Sequence, residues 1–222
     1  MLKEIGSVFS FLTIIPSTNT NLETVAKYMH VFPIIGIVIG LLIGSIGFGL
    51  SFFLEPLIVS LLVVASIAVI TGIHHTDGLA DFADGLMTRG TKEKKRKAMK
   101  DLSTGSAGIV SIVLYVAGAI IALSLTSGYE LFQAILLSEI LAKFSMVLMA
   151  SIGNSAAVGS NSPFMQMMKD KRKLAVAGVI TIIPLVVIGG TTGLILFGAS
   201  IGVTLFLIGL STRSFGGITG DV

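Results

Sequence analysis

Six stretches of this 222-residue chain are almost free of charge and close to the length of a membrane crossing. They run at about 31–54, 56–73, 106–126, 130–152, 174–190 and 192–210. A hydrocarbon core about 30 Å thick needs roughly 20 apolar residues in a helix that rises about 1.5 Å per residue. Apolar residues make up 53% of the chain and charged residues 12%, about half the charged share of a soluble domain. A soluble core of this size has no room for so much apolar surface, and a disordered chain would be far more polar. Soluble dinucleotide-binding, barrel and nucleic-acid-binding folds are thereby excluded. The expectation is an all-α integral membrane protein, a polytopic bundle of about six transmembrane helices in one domain over residues 1–222. The fifth and sixth stretches are short and carry Gly189, Gly190 and Gly193. Residues 5–16 (IGSVFSFLTIIP) are apolar but too short to cross, which predicts an interfacial or re-entrant segment.

The basic residues set the topology. Six crossings place residues 1–30, 74–105, 153–173 and 211–222 on one side, and these segments hold 14 of the 15 Lys and Arg residues. The turns on the other side carry Glu55 and Glu130 but no Lys or Arg. Positive charge marks the cytoplasmic side, so both termini and the two long polar loops, 74–105 and 153–173, are expected in the cytoplasm. This is a multi-pass protein of the cell membrane whose partners include the lipid bilayer but no nucleic acid. No cysteine is present, which removes disulfides, thiolate nucleophiles and cysteine-based metal sites.

The chemistry concentrates in TGIHHTDGLADFADGLMTRG, residues 71–90. On a helix Asp77, Asp81 and Asp84 fall within about 60° of one another, on one narrow face. Three carboxylates so placed repel, and a hard divalent cation such as Mg²⁺ is the natural compensation, bridging carboxylates to substrate phosphates. The plainer alternative is a solvated acidic face neutralised by the basic run that follows. Gly78 and Gly85 permit close approach of a bulky group. His74 and His75 precede the acids, and helical spacing places His74 nearer to their face. From Lys92 to Lys100 runs a basic stretch that suits an anchor on anionic lipid and also an anionic substrate. Asp101 and the segment Ser103–Gly108, with Gly105, then lead into the third crossing, where free helical amides suit a phosphate. Ser103 or Thr104 is alternatively a simple helix cap.

Two features inside the apolar stretches stand out. Glu139 and Lys143 are spaced for a helical ion pair, either a site or a self-satisfied pair. Gly36, Gly40 and Gly44 form a small-residue stripe that predicts tight helix packing. At the far end, SFGGITGDV sets Asp221 beside a glycine-rich turn at Gly217.

HHTDGLADFADG, MKDLSTGSAG and GGITGD, with FLTIIP and FPIIGIVIG upstream, resemble in order the motifs of the cobalamin synthase family, the adenosylcobinamide-GDP ribazoletransferases. The resemblance runs along essentially the whole chain. It implies a Mg²⁺-dependent membrane transferase that joins adenosylcobinamide-GDP to α-ribazole, or its 5′-phosphate, and releases GMP. It maps the family's acidic motif onto His75, Asp77, Gly78, Asp81, Asp84 and Gly85, its next aspartate onto Asp101, and its tail onto Thr219, Gly220 and Asp221. His75 and Asp81 are then the expected catalytic residues and the five aspartates the metal ligands. Gly78, Gly85, Lys100, Ser103, Gly105, Gly217, Thr219 and Gly220 are expected at the substrate. The match favours His75 over His74 as the base. Three departures accompany it. Ser103 stands in a run where many members carry Arg, so Lys100 or its basic neighbours would meet the phosphate. The loop 153–163 lacks the charges often found there. The chain ends at Val222, where members usually continue into a further span, so a seventh helix is expected beyond it. A CDP-alcohol-type phosphotransferase is the alternative enzyme, but Asp81 stands where that signature has Arg. A cation transporter is the alternative of another class, although its acids would sit near mid-membrane.

Overall fold

A computed structural model of the chain describes residues 2–16, 21–157 and 162–222. Residues 158–161 of the second expected polar loop, and 17–20 of the N-terminal segment, lie outside the described residues. The helices are α1 (Leu2–Leu12), α2 (Leu22–Lys27), α3 (Phe32–Leu50), α4 (Pro56–Ile70) and α5 (His74–Met87), then α6 (Lys92–Ala98), α7 (Ser106–Ser124), α8 (Gly128–Ile152), α9 (Ser162–Met167) and α10 (Lys171–Phe215). Among the described residues there is no strand, only one isolated bridge between Ser155 and Ile218. The fold is the expected all-α membrane architecture.

The core is built where α3 meets α8, and glycine explains how closely they approach. A Cβ on Gly36 would stand 2.5 Å from the Glu139 carbonyl oxygen, and one on Gly40 would stand 2.8 Å from Leu136 Cα. Gly44 continues the stripe against the Phe132 ring at 3.0 Å. Rising numbers on α3 meet falling numbers on α8, so the pair is antiparallel. Ile35, Ile39 and Ile43 fill in beside the stripe and are almost wholly buried. Lipid offers no hydrophobic drive between helices, so contact of this kind is what holds a bundle together. Within it the Lys143 ammonium donates to Glu139 Oε2 at 2.8 Å, both side chains being buried.

α10 is two helices across a break. Gly190 takes φ 54°, ψ −133°, far from helical. A side chain on Gly193 would collide with the Leu185 carbonyl, although a straight helix would hold those residues about 12 Å apart. The chain therefore doubles back at Gly189–Gly190, between the fifth and sixth apolar stretches. By length and apolarity alone, four helical units among the described residues qualify as spans: Met29–Leu50, α7, α8 and the whole of α10. A fifth is added if α4 and α5, bent by 90°, count as one broken span. Together these carry all six apolar stretches, although α4 at 15 residues is short. Outward faces are apolar, with Leu114 68% and Val187 77% exposed, as suits helices that meet acyl chains. α1 is an 11-residue helix that buries Val8 and Leu12, too short to cross, in line with the interfacial expectation.

One end of the bundle gathers the polar segments. Ile14 N–H donates to the Ile70 carbonyl at 2.8 Å, Lys173 Nζ to that of Lys27 at 2.9 Å, and Arg96 Nη1 to that of Phe215 at 2.5 Å.

Candidate active site

The site is set by a sharp corner. After α4 the chain passes through Gly72 and Ile73 at φ 70° and 65°, and α5 leaves at 90° to α4. Left-handed backbone at a β-branched residue is strained by about 1–3 kcal/mol, so the surrounding packing imposes this corner. The helix starts at His74, and Asp77, Asp81 and Asp84 lie along it on the predicted face.

The C-terminal tail closes over that helix. α10 ends at Gly216 in a left-handed cap, φ 87°. The Ile218 amide donates to the Asn154 carbonyl at 2.8 Å, and the Ala156 amide returns a bond to the Ile218 carbonyl at 2.9 Å. A Cβ on Gly217 would stand 2.5 Å from Asn154 O, so only glycine admits this contact. The tail then runs over Gly78, whose own Cβ would meet the Asp221 carbonyl oxygen at 3.3 Å. Gly78 and Asp221, read from motifs far apart in the sequence, are thus in contact.

Carboxylates crowd together there. Partial burial pushes the Asp81 carboxyl above its ordinary value, and the charges of Asp77, Asp221 and Asp84 push it further. Burial also raises Asp221, assisted by Asp77 and opposed by the Thr219 hydroxyl and Lys100. Such a set fits a hard divalent cation, which would offset the burial and the neighbouring charge that raise both groups. Among the described residues no three His, Asp or Glu side chains converge into a ready-made cage. Mg²⁺ is suited to that arrangement, because it keeps several waters and uses few protein carboxylates beside substrate phosphates.

Asp84 has a second engagement. Its Oδ2 accepts the Gly105 amide at 2.6 Å and its Oδ1 the Gly108 amide at 2.8 Å. It thereby caps α7 from across the fold, while the helix's own Gly105 supplies no side-chain cap. A Cβ on Gly105 would stand 2.5 Å from Asp84 Oδ1, which fixes glycine there. Ser103 and Thr104, the caps read from sequence, are bypassed. Asp101 accepts the Ser103 amide at 3.0 Å in a local turn. Both residues are exposed, and no hydrogen bond joins either to the other aspartates among the described residues. Gly85 faces Met99, with a Cβ there 3.1 Å from the Lys95 carbonyl. It is a packing contact between α5 and α6. The basic run caps helices: Lys95 Nζ donates to the Leu86 carbonyl at 2.8 Å, and Arg96 binds the last carbonyl of α10.

Beside the tail lies a cavity of about 500 Å³. His74, His75, Thr219, Gly220 and Asp221 supply its polar lining. His75 is open to the cavity, yet apolar walls displace much of its hydration. That desolvation, helped by the Lys143 ammonium, holds its pKa below the ordinary value and favours the neutral ring. The other walls come from α1, α3, α8 and α9 through Phe11, Phe32, Met149, Phe164 and Met165. Phe11 and Phe32 open the FLTIIP and FPIIGIVIG motifs, whereas Met149, Phe164 and Met165 gave no sequence signal beyond the apolar pattern of their helices.

The comparisons with known proteins decide what kind of protein carries this site. The family model described as cobalamin-5-phosphate synthase matches residues 4–222. The chain belongs to the cobalamin-5-phosphate synthase family. Among its relatives, a protein of Archaeoglobus fulgidus named adenosylcobinamide-GDP ribazoletransferase is 34% identical over 223 residues, covering 100% of this chain and 90% of its own. Proteins of the same name from Methanocella arvoryzae and Pyrococcus abyssi are each 32% identical, covering 100% and 97% of this chain and 90% and 88% of theirs. No solved structure matches. Membership of the cobalamin-5-phosphate synthase family makes the chain a transferase of a late step in cobalamin synthesis.

Proposed function

We propose that this protein transfers the adenosylcobinamide phosphate group from adenosylcobinamide-GDP to α-ribazole, or to its 5′-phosphate, and releases GMP. The observation that carries the reading is the docking of the tail on α5, which brings Asp221 against Gly78 in the neighbourhood of Asp77 and Asp81. Mg²⁺ held by Asp77, Asp81 and Asp221 would neutralise the diphosphate and stabilise the departing GMP, while Asp84 caps α7 and Asp101 holds a local turn. The lowered pKa of His75 leaves its ring neutral near pH 7, the form a base requires. It takes the proton from the ribazole hydroxyl as that oxygen bonds to the cobinamide-bound phosphorus, and the bond from phosphorus to the GMP oxygen breaks. Lys100, whose charge reaches Asp221, would meet the diphosphate. Among the described residues, Glu139 is the carboxylate deep in a span and Lys143 neutralises it at 2.8 Å, so no free acidic relay crosses the bundle for an ion.

The test is turnover by the protein in lipid nanodiscs, given adenosylcobinamide-GDP and α-ribazole with and without Mg²⁺. GMP and the joined corinoid are expected in equal amounts and only with the metal. Activity should fall on acidification through a pKa below 6.5, and His75→Gln should lose that limb together with most of kcat. Corinoid product at an undiminished rate in chelator would sink the metal assignment, and a wild-type pH profile in His75→Gln would sink the base.

A further inference from the structure

We infer that the cavity beside the tail is the seat of the acceptor's aromatic base: a planar, largely apolar heterocycle lies against Phe11, which Phe32 and Phe164 back from behind, while its ribose points to His75 and Asp221. The inference rests on the proposed reaction and names which substrate each wall of the site takes.

Three observations carry it. First, Phe11, Phe32 and Phe164 form a cluster, with ring centroids 6.2 Å apart for Phe11–Phe32, 5.5 Å for Phe11–Phe164 and 6.5 Å for Phe32–Phe164. Each ring comes from a different helix, and all three line the cavity. Phe11 is still 37% exposed within this cluster, so it has a face to offer. Aromatic faces of this kind add about 0.5–1.5 kcal/mol per ring contact beyond area burial. Methionines fill the gaps, through Met149 and Met165, with soft thioethers that adapt to a ring edge.

Second, the size discriminates. A cavity of about 500 Å³ takes a drug-sized molecule such as a nucleoside. The corrin macrocycle with its side chains is too large for it. Third, the polarity discriminates among what remains. The guanosine phosphate of the donor is charged, and its base edge is rich in hydrogen-bonding groups that carbon and sulfur walls would leave unpaired. The acceptor base is the one part of either substrate that is both small and mostly apolar. The polar lining comes from the start of α5 and from the tail, two segments in contact through Gly78 and Asp221. A nucleoside seated with its base on the phenylalanines therefore presents its ribose where the aspartates crowd.

Two variants test this on the full chain in nanodiscs. Phe11→Ala removes the exposed ring, and Ala150→Leu fills the cavity from α8. Each is expected to raise KM for α-ribazole by about tenfold, the equivalent of one aromatic contact, with KM for adenosylcobinamide-GDP unchanged. Calorimetry with α-ribazole alone should show the same weakening. A rise confined to the KM for adenosylcobinamide-GDP would give the cavity to the corinoid and overturn the inference. Unchanged values for both substrates in both variants would overturn it too, and leave the space to an acyl chain. The two readings fail separately. Turnover without a KM effect sinks the cavity assignment alone. Absent turnover, with α-ribazole binding that both variants weaken, sinks the reaction and keeps the cavity.

Discussion

Asp81 and Asp221 are each made harder to ionise by the fold that contains them. A carboxyl raised above its ordinary 3.8 binds protons more readily folded than unfolded, so it contributes stability that appears as pH falls through the raised value. That contribution levels off below 3.8 and is absent at neutral pH, where the ionised pair opposes folding. Metal-free protein should therefore gain thermal stability from these groups on mild acidification. Mg²⁺ should raise Tm at pH 7.5 by several degrees and much less at pH 5, because protons compete for the same oxygens. Asp81→Asn should remove part of the pH dependence, keep the fold, and lower turnover by about 100-fold or more. A Tm that ignores Mg²⁺ at both pH values would refute the ligand assignment. At this scale the acidic face was legible, because three aspartates at helical spacing need no tertiary information. The division of labour was not. Asp84 caps α7 through Gly105 and Gly108, whereas sequence offers Ser103 and Thr104 as nearer candidates. Only the packing of α5 against α7 selects the distant one.

Asp84 links two elements, and its effect should be read as theirs. Asp84→Ala leaves two amides at the start of α7 without their acceptor and should cost about 1–2 kcal/mol of stability. Asp84→Asn keeps an acceptor oxygen and should cost less. Thermal unfolding in detergent, measured beside turnover, separates a cap from a ligand. Activity that falls in step with stability marks the cap, and an Asp84→Asn variant of wild-type Tm without turnover would mark a metal ligand instead. The elements themselves were largely readable. The stripe of Gly36, Gly40 and Gly44 predicted close packing because a missing Cβ matters only where another backbone is near. The six apolar stretches set a turn between the fifth and the sixth, and α10 reverses there at Gly190. The docking of Gly217 on the segment 154–156 was hidden, since a bridge of two hydrogen bonds between irregular segments leaves no periodic trace.

Across the whole molecule the same end of the bundle collects the aspartates, the cavity and the basic segments. Hydrogen bonds join residues 14 to 70, 27 to 173, 96 to 215 and 154 to 218, so the segments that hold 14 of the 15 Lys and Arg residues share one face. The cavity could not be read from sequence, because its walls are drawn from seven helices and the tail and only assembly makes them neighbours. For sidedness the sequence makes a prediction of its own, because charge asymmetry acts during insertion and needs no packing. That asymmetry predicts that the catalytic end faces the cytoplasm, where soluble nucleotide substrates and Mg²⁺ are found. The absence of native cysteine makes the test direct. Single cysteines at Leu102, fully exposed in the loop before α7, and at Phe53, 84% exposed in the turn after α3, report opposite sides. A membrane-impermeant maleimide added to intact cells should label Phe53→Cys and spare Leu102→Cys, and inverted vesicles should reverse the pattern. Labelling of Leu102→Cys from outside would turn the protein over and place its aspartates where cytoplasmic substrates cannot reach them. Labelling of both sites from one side would mean an odd number of crossings between residues 53 and 102 does not exist, and the bent pair α4–α5 would then be a re-entrant loop.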